Sequence, residues 1–174
     1  PVFILRGRMQ GLTGNAVAKA LAGGQGADTI AGGDGADTLT AGDGADSVAG
    51  EGGTDSLAGG NGADSLDGGL GADTLSGGGG NDVYLVGEGD VVVAVIVGGG
   101  ADTVFSSALV HTLAAEIETL VLGGADSLRG VGGYPNDGQA DTLMGGAGDD
   151  TIALEAQGQF QGVLDGGEGI DELN

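Results

Sequence analysis

Cysteine is absent from this chain and basic residues are nearly so. Without cysteine, neither disulfides nor thiolate metal sites can staple the fold. The basic residues are Arg6, Arg8, Lys19 and Arg129, so Ala20 to Leu128 carries no positive side chain, and the formal net charge is -22. Nucleic acid and anionic membrane surfaces attract positive charge, so both are excluded as expected partners. The longest aliphatic run, Val91 to Val97, is seven residues long. That is far too short to span a bilayer and reads as a buried strand. The start, PVFILRGRMQ, lacks a signal-peptide layout, because its four apolar residues run at once into Arg6. Aromatics make up 3% of the chain while glycine takes 43 of 174 positions, so an ordinary globular core is hard to build.

What the chain does have is period. Gly23 to Leu85 divides without a gap into GGQGADTIA, GGDGADTLT, AGDGADSVA, GEGGTDSLA, GGNGADSLD, GGLGADTLS and GGGGNDVYL. Position six is always aspartate: Asp28, Asp37, Asp46, Asp55, Asp64, Asp73 and Asp82. Position four is always glycine: Gly26, Gly35, Gly44, Gly53, Gly62, Gly71 and Gly80. Position two is glycine at Gly24, Gly33, Gly42, Gly60, Gly69 and Gly78, with Glu51 as the exception. Position eight is apolar, from Ile30 to Tyr84, and position seven is Thr or Ser in six blocks. A fixed period marks a stacked repeat architecture. Glycine at this level without a period would signal disorder, whereas fixed glycines meet a geometric demand.

Each block reads as six turn residues followed by a three-residue strand whose middle side chain points inward. Two blocks then make one coil, and block n lies over block n+2 at about 4.8 Å. Ile30, Leu39, Val48, Leu57, Leu66 and Leu75 form a narrow aliphatic core between two parallel sheets. The expected fold is all-β, a two-sheet solenoid. Its carboxylates fall into two stacks, Asp28, Asp46, Asp64 and Asp82 in one and Asp37, Asp55 and Asp73 in the other. Stacked carboxylates repel by a few kcal/mol at an effective dielectric of about 20, so the fold needs cations. Turns that offer convergent carbonyls and one carboxylate each make hard oxygen sites of the kind calcium prefers, whereas zinc would want His or Cys. Five interturn gaps are expected in the regular part, three in the first stack and two in the second.

The flanks keep a looser version of the pattern. Residues 1–22 read as an entry strand, Val2 to Leu5, and a degenerate repeat, GNAVAKALA, in which Lys19 stands where aspartate is expected and could substitute for a cation. Residues 86–122 are strand-rich, with a longer strand over Asp90 to Val97, a short helix over Ala114 to Glu118 left open, and Asp102 as a further ligand. Residues 123–174 resume the repeats around Asp126, Asp141, Asp150 and Asp171, interrupted by a loop at GVGGYPNDG. Pro1 at the start, and an end inside the pattern, give the chain the look of a window from a longer protein. Asp102, Ser106 or Ser107, and His111 lie close in sequence, but no GxSxG turn accompanies them, so no enzyme is expected. Position three varies too much to form the threonine array with which a calcium roll can bind ice.

The in-phase GGxGxDxUx blocks (U being aliphatic) resemble the repeats-in-toxin, or haemolysin-type, calcium-binding family, specifically over Gly23 to Leu85 and more loosely beyond. The resemblance implies a parallel β-roll with several calcium ions between its glycine-rich turns. It also implies export from a bacterium by type I secretion, with folding driven by calcium outside the cell. Two host functions stay open. One is a structural segment of a secreted or cell-surface, matrix or filament protein that self-associates; the other is the secretion and folding module of a larger hydrolase or toxin.

Overall fold

In the computed structural model the described residues are 2–4, 11–93, 99–108, 110–112, 117–123, 129–132, 141–154 and 162–173. They contain 20 strands and no helix. Every pairing is parallel. One sheet holds Val2–Ile4, Ala20–Gln25, Thr38–Asp43, Ser56–Asn61, Thr74–Gly79 and Val91–Val92 in that order. The second runs Gly11–Thr13, Thr29–Asp34, Ser47–Gly53, Ser65–Asp67, Val83–Val86, Thr103–Ser106, Thr119–Leu122, Asp141–Ala147 and Gly162–Glu168, with Leu70–Gly71 beside Ser47–Gly53. Strands of the two sheets alternate along the chain, and this is the expected β-solenoid. After residue 108 the partner of the second sheet is a third, made of Val110–Thr112, Arg129–Gly132, Thr151–Leu154 and Glu172–Leu173.

Two blocks make one coil, as the register demonstrates: Leu21, Leu39, Leu57, Leu75 and Val92 stack in the first sheet. Leu12, Ile30, Val48, Leu66, Tyr84, Val104, Leu120, Leu143 and Leu164 stack in the second. Leu39, Leu57, Leu66 and Leu75 are at most 1% exposed. Each such side chain contributes roughly 1.5–3 kcal/mol by burial. With one inward residue per block, the hydrophobic contribution per coil is small. The seventh-position Thr and Ser side chains of the regular blocks, Thr29, Thr38, Ser47, Ser56, Ser65 and Thr74, face outward and are exposed.

Several local expectations differ from what forms. Most of the regular strands run six or seven residues rather than three, because pairing continues into the turn, as in Gly42 with Gly60 and Asp43 with Asn61, while Ser65–Asp67 keeps the expected three. Over Asp90 to Val97 the described strand is only Val91–Val92, and 94–98 lie outside the described residues. Of the Ala114 to Glu118 helix, residues 114–116 lie outside them, while Ile117 and Glu118 have no regular structure. Gly130 to Gly132, read as loop, belong to a strand because Val131 is paired on both sides, with Thr112 and Ala153.

The turns depend on backbone that only glycine adopts cheaply. All thirteen glycines at positions two and four have positive φ. At Gly62, φ is 130° and an added Cβ would strike the Gly44 carbonyl of the coil below. Glu51 takes the same left-handed form at φ 73° without being glycine, a strain of about 1–3 kcal/mol. The two substitutions should therefore act in opposite directions. We expect Gly62→Ala to destabilise the fold by at least about 2 kcal/mol and Glu51→Gly to stabilise it by about 1 kcal/mol, both read from chemical denaturation in calcium.

Candidate metal centre

The position-six carboxylates of Asp37, Asp46, Asp55, Asp64, Asp73 and Asp82 each do two things at once. Oδ1 accepts a hydrogen bond from the backbone N–H of the position-six residue one coil earlier, at 2.7 Å for Asp28 N to Asp46 and 2.9 Å for Asp46 N to Asp64 and Asp64 N to Asp82. The other stack repeats this from Lys19 N to Asp37, Asp37 N to Asp55 and Asp55 N to Asp73. The assignment of alternate aspartates to two stacks follows the structure. Oδ2 then points into the turns: in Asp46, Asp55, Asp64 and Asp82 it is buried and accepts no hydrogen bond. A buried carboxylate oxygen without a partner is costly, and a cation is the usual remedy.

Backbone oxygens converge on the same place. A methyl added at Gly32 would lie 2.8 Å from Asp37 Oδ2 and 2.7 Å from the Gly50 carbonyl oxygen. Equivalent methyls at Gly23, Gly50 and Gly59 would meet the Oδ2 of Asp28, Asp55 and Asp64 together with the Ala41, Gly68 and Gly77 carbonyls. Position-one glycines thus leave an oxygen-lined space, which Ala41 narrows with its own methyl beside the Asp46 repeat. Among the described residues no three carboxylate or imidazole side chains cluster. A cation held here draws most of its donors from backbone carbonyls, which suits calcium with its six to eight oxygen ligands.

Both columns extend past the regular repeats. In the first, Asp82 N donates to Asp102 and Asp102 N to Glu118 Oε2. In the second, Asp73 N donates to Asp90 Oδ1 at 2.9 Å. Asp73 Oδ2 and Asp90 Oδ2 both face the space at Gly68. In the third sheet, Asp150 N donates to Asp171 Oδ1 at 3.0 Å. Asp102 and Asp150 are buried and Asp171 is partly so. Asp141 opens its strand and pairs with Gly162, so no carboxylate follows it one coil on. Asp126 lies outside the described residues.

Three members escaped the sequence pattern. Asp90 lies 17 residues after Asp73 rather than 18, and Glu118 lies 16 after Asp102. The signals were present in GDVV and ETLV, each an acid followed by a β-former and an inward apolar residue. The repeat pattern places Tyr84 only as an apolar filler at position eight. Its hydroxyl accepts from Gly77 N at 2.9 Å and faces the space beside Asp82 Oδ2 where other coils present a carbonyl.

Lys19 closes one end of the second column. It is 6% exposed, its Nζ lies 3.1 Å from Asp37 Oδ2, and it donates to the Asn15 and Val17 carbonyls. The ammonium therefore holds the same kind of position, between turn carbonyls and a carboxylate, that the other gaps leave to an ion.

Among the acid, serine and histidine residues that lie close in sequence here, Asp102 Oδ1 is taken by Asp82 N. Ser106 Oγ accepts from Ala108 N, and Ser107 donates to the Val86 carbonyl. The side chain of His111 lies outside the described residues.

The model of the RTX calcium-binding nonapeptide repeat matches the chain four times, over residues 22–57, 50–84, 58–93 and 137–156, together more than half its length. The chain belongs to this calcium-binding repeat family. No curated protein matches it.

Burial raises the carboxyls of Asp46, Asp55, Asp64, Asp73 and Asp102 above their ordinary range, against the lowering effect of the backbone N–H each accepts. Asp82 is pushed up to about 6, first by burial and then by Asp102 and Asp64. Burial also raises the Tyr84 phenol. A carboxyl easier to protonate in the folded than in the unfolded chain favours folding at low pH. In chelator this contribution is complete below about 3.8 and is lost as the pH rises through about 6. The metal-free chain should accordingly gain β signal in circular dichroism on acidification from about pH 7.5 to about pH 4. An unchanged or falling signal would contradict the buried placement of these carboxylates.

Replacing the tethered ammonium should change ion count rather than merely stability. Lys19→Asp is expected to raise bound calcium by one ion per chain, counted by elemental analysis after gel filtration. Lys19→Met, which strands Asp37, should lower stability by about 3–5 kcal/mol.

Proposed function

We propose that this chain is the calcium-folded repeat region of a protein that a bacterium exports by type I secretion, with a structural role at the cell surface, in the matrix or in a filament. The observation that carries the proposal is the pair of carboxylate columns in which the Oδ2 atoms of Asp46, Asp55, Asp64 and Asp82 are buried without a hydrogen-bond donor, while the equivalent atom of Asp37 faces the Lys19 ammonium. The proposed ligands are Asp28, Asp37, Asp46, Asp55, Asp64, Asp73 and Asp82, together with the turn carbonyls around the paired glycines, and beyond them Asp90, Asp102, Glu118, Asp150 and Asp171. A site absent from the unfolded chain turns metal affinity into folding free energy. Low calcium before export would keep such a chain unfolded and threadable, and millimolar calcium outside would fold it.

A non-catalytic role fits this reading, since the Ser106 and Ser107 hydroxyls are occupied within the backbone of the coil. Strands Val83–Val86, Thr103–Ser106 and Thr119–Leu122 carry the second sheet on from the regular repeats toward Asp141–Ala147, which favours a long repeat array over a short folding tag.

At neutral pH, millimolar calcium should produce a strong β signal in circular dichroism that excess chelator abolishes. An identical spectrum in chelator would refute the assignment of the carboxylates as ligands.

A further inference from the structure

The outer face of the second sheet changes character halfway along. Residues that follow the inward position line up from coil to coil, beginning with Thr13, Ala31 and Ala49. The same row continues through Asp67, Leu85, Phe105, Val121, Met144 and Asp165. Four large apolar side chains are thus bracketed by two carboxylates. Leu85, Phe105 and Met144 are 41%, 46% and 39% exposed, and Asp67 and Asp165 are exposed as well. A cleft of about 320 Å³ opens at one end, lined by Asp67, Leu85, Phe105, Ser106 and Gly123 among others.

We propose that this row docks an amphipathic segment of another protein, apolar along its middle and carrying Lys or Arg at both ends. Contiguous exposed apolar side chains with a polar rim mark an interaction surface. Charge selects the occupant. Five coil steps of about 4.8 Å place Asp67 and Asp165 about 24 Å apart, which matches about 16 residues of helix. A second copy laid against the row would set carboxylate against carboxylate at both ends, whether Asp67 met Asp67 or Asp165. Anionic lipid is repelled by the same two groups. Neither aspartate belongs to the metal columns, so calcium does not neutralise them.

The test uses the full chain in millimolar calcium and a labelled helical peptide with a leucine face and lysines at each end, about 16 residues apart. Fluorescence anisotropy should show saturable binding. Phe105→Ser, and separately Asp67→Lys with Asp165→Lys, should each weaken it at least about tenfold. Circular dichroism in calcium verifies that these variants keep the fold, with Met144→Ser as a second probe of the row. A peptide with glutamates at its ends should bind at least about tenfold more weakly. Equal affinity for the variants, equal affinity for the acidic peptide, or no saturable binding below roughly 100 μM would overturn the proposal. So would a dimer of the wild-type chain, seen by sedimentation, that Phe105→Ser abolishes, since the row would then belong to a second copy.

Discussion

The solenoid depends on one contact, repeated along both columns: a backbone N–H at position six donating to the carboxylate one coil further on. It sets the vertical register, because a strand slipped by one residue would present its outward side chains to the core and lose the carboxylate from the N–H. It also turns the second carboxylate oxygen inward, toward the carbonyls of the turn. Fold and ion requirement thus come from the same atoms. A charge used to align the coils must be buried, and once buried it raises its own proton affinity and calls for a cation.

The thin core explains why so demanding an arrangement persists. Each block contributes one inward aliphatic residue, and neighbouring coils contact only one another. Stability in such a stack is a sum of coil and interface contributions rather than a property of one large core. With few aromatics and no disulfides, the interface must be strengthened by something else. Bound ions between coils do this in proportion to the number of coils, so lengthening the rod need not weaken it.

Much of this was legible in the repeat itself. Fixed glycine, aspartate and aliphatic positions gave the two sheets, the inward ladder and the alternate stacking of Asp28, Asp46 and Asp64 against Asp37, Asp55 and Asp73. What was not legible was that Asp90 and Glu118 join the columns, whereas Asp102 and Asp171 were expected despite their insertions. Residue counting assumes 18 per coil, but the stack requires only that a carboxylate reach the N–H above it. Asp90 does so after 17 residues, Glu118 after 16, Asp102 after 20 and Asp171 after 21. A loop can lose or gain residues while the contact is kept, and the longer glutamate side chain compensates for the shortest coil. The sixth position is a place in space before it is a place in the count. The Tyr84 hydroxyl was hidden for a related reason: its ring satisfies the apolar pattern, while its oxygen reaches past the core to the turn.

The two columns are not equivalent, and the difference lies at Lys19. Any linear stack is hardest to start, because the first pair of coils must be ordered before a neighbour contributes. In the first column the Asp46–Asp64 step brings two buried carboxylates together, each with an Oδ2 that no hydrogen bond satisfies. In the second, the first gap is closed by an ammonium already tethered to the chain, held by Asp37 and two turn carbonyls. That coil can order without capturing metal, and it presents Asp37 in place, with Oδ1 and Oδ2 already engaged. The next N–H in the column, that of Asp37, then meets Asp55 with its own position fixed. Lys19, placed one coil before the regular series, thereby closes the first gap of the second column with a charge the chain itself carries.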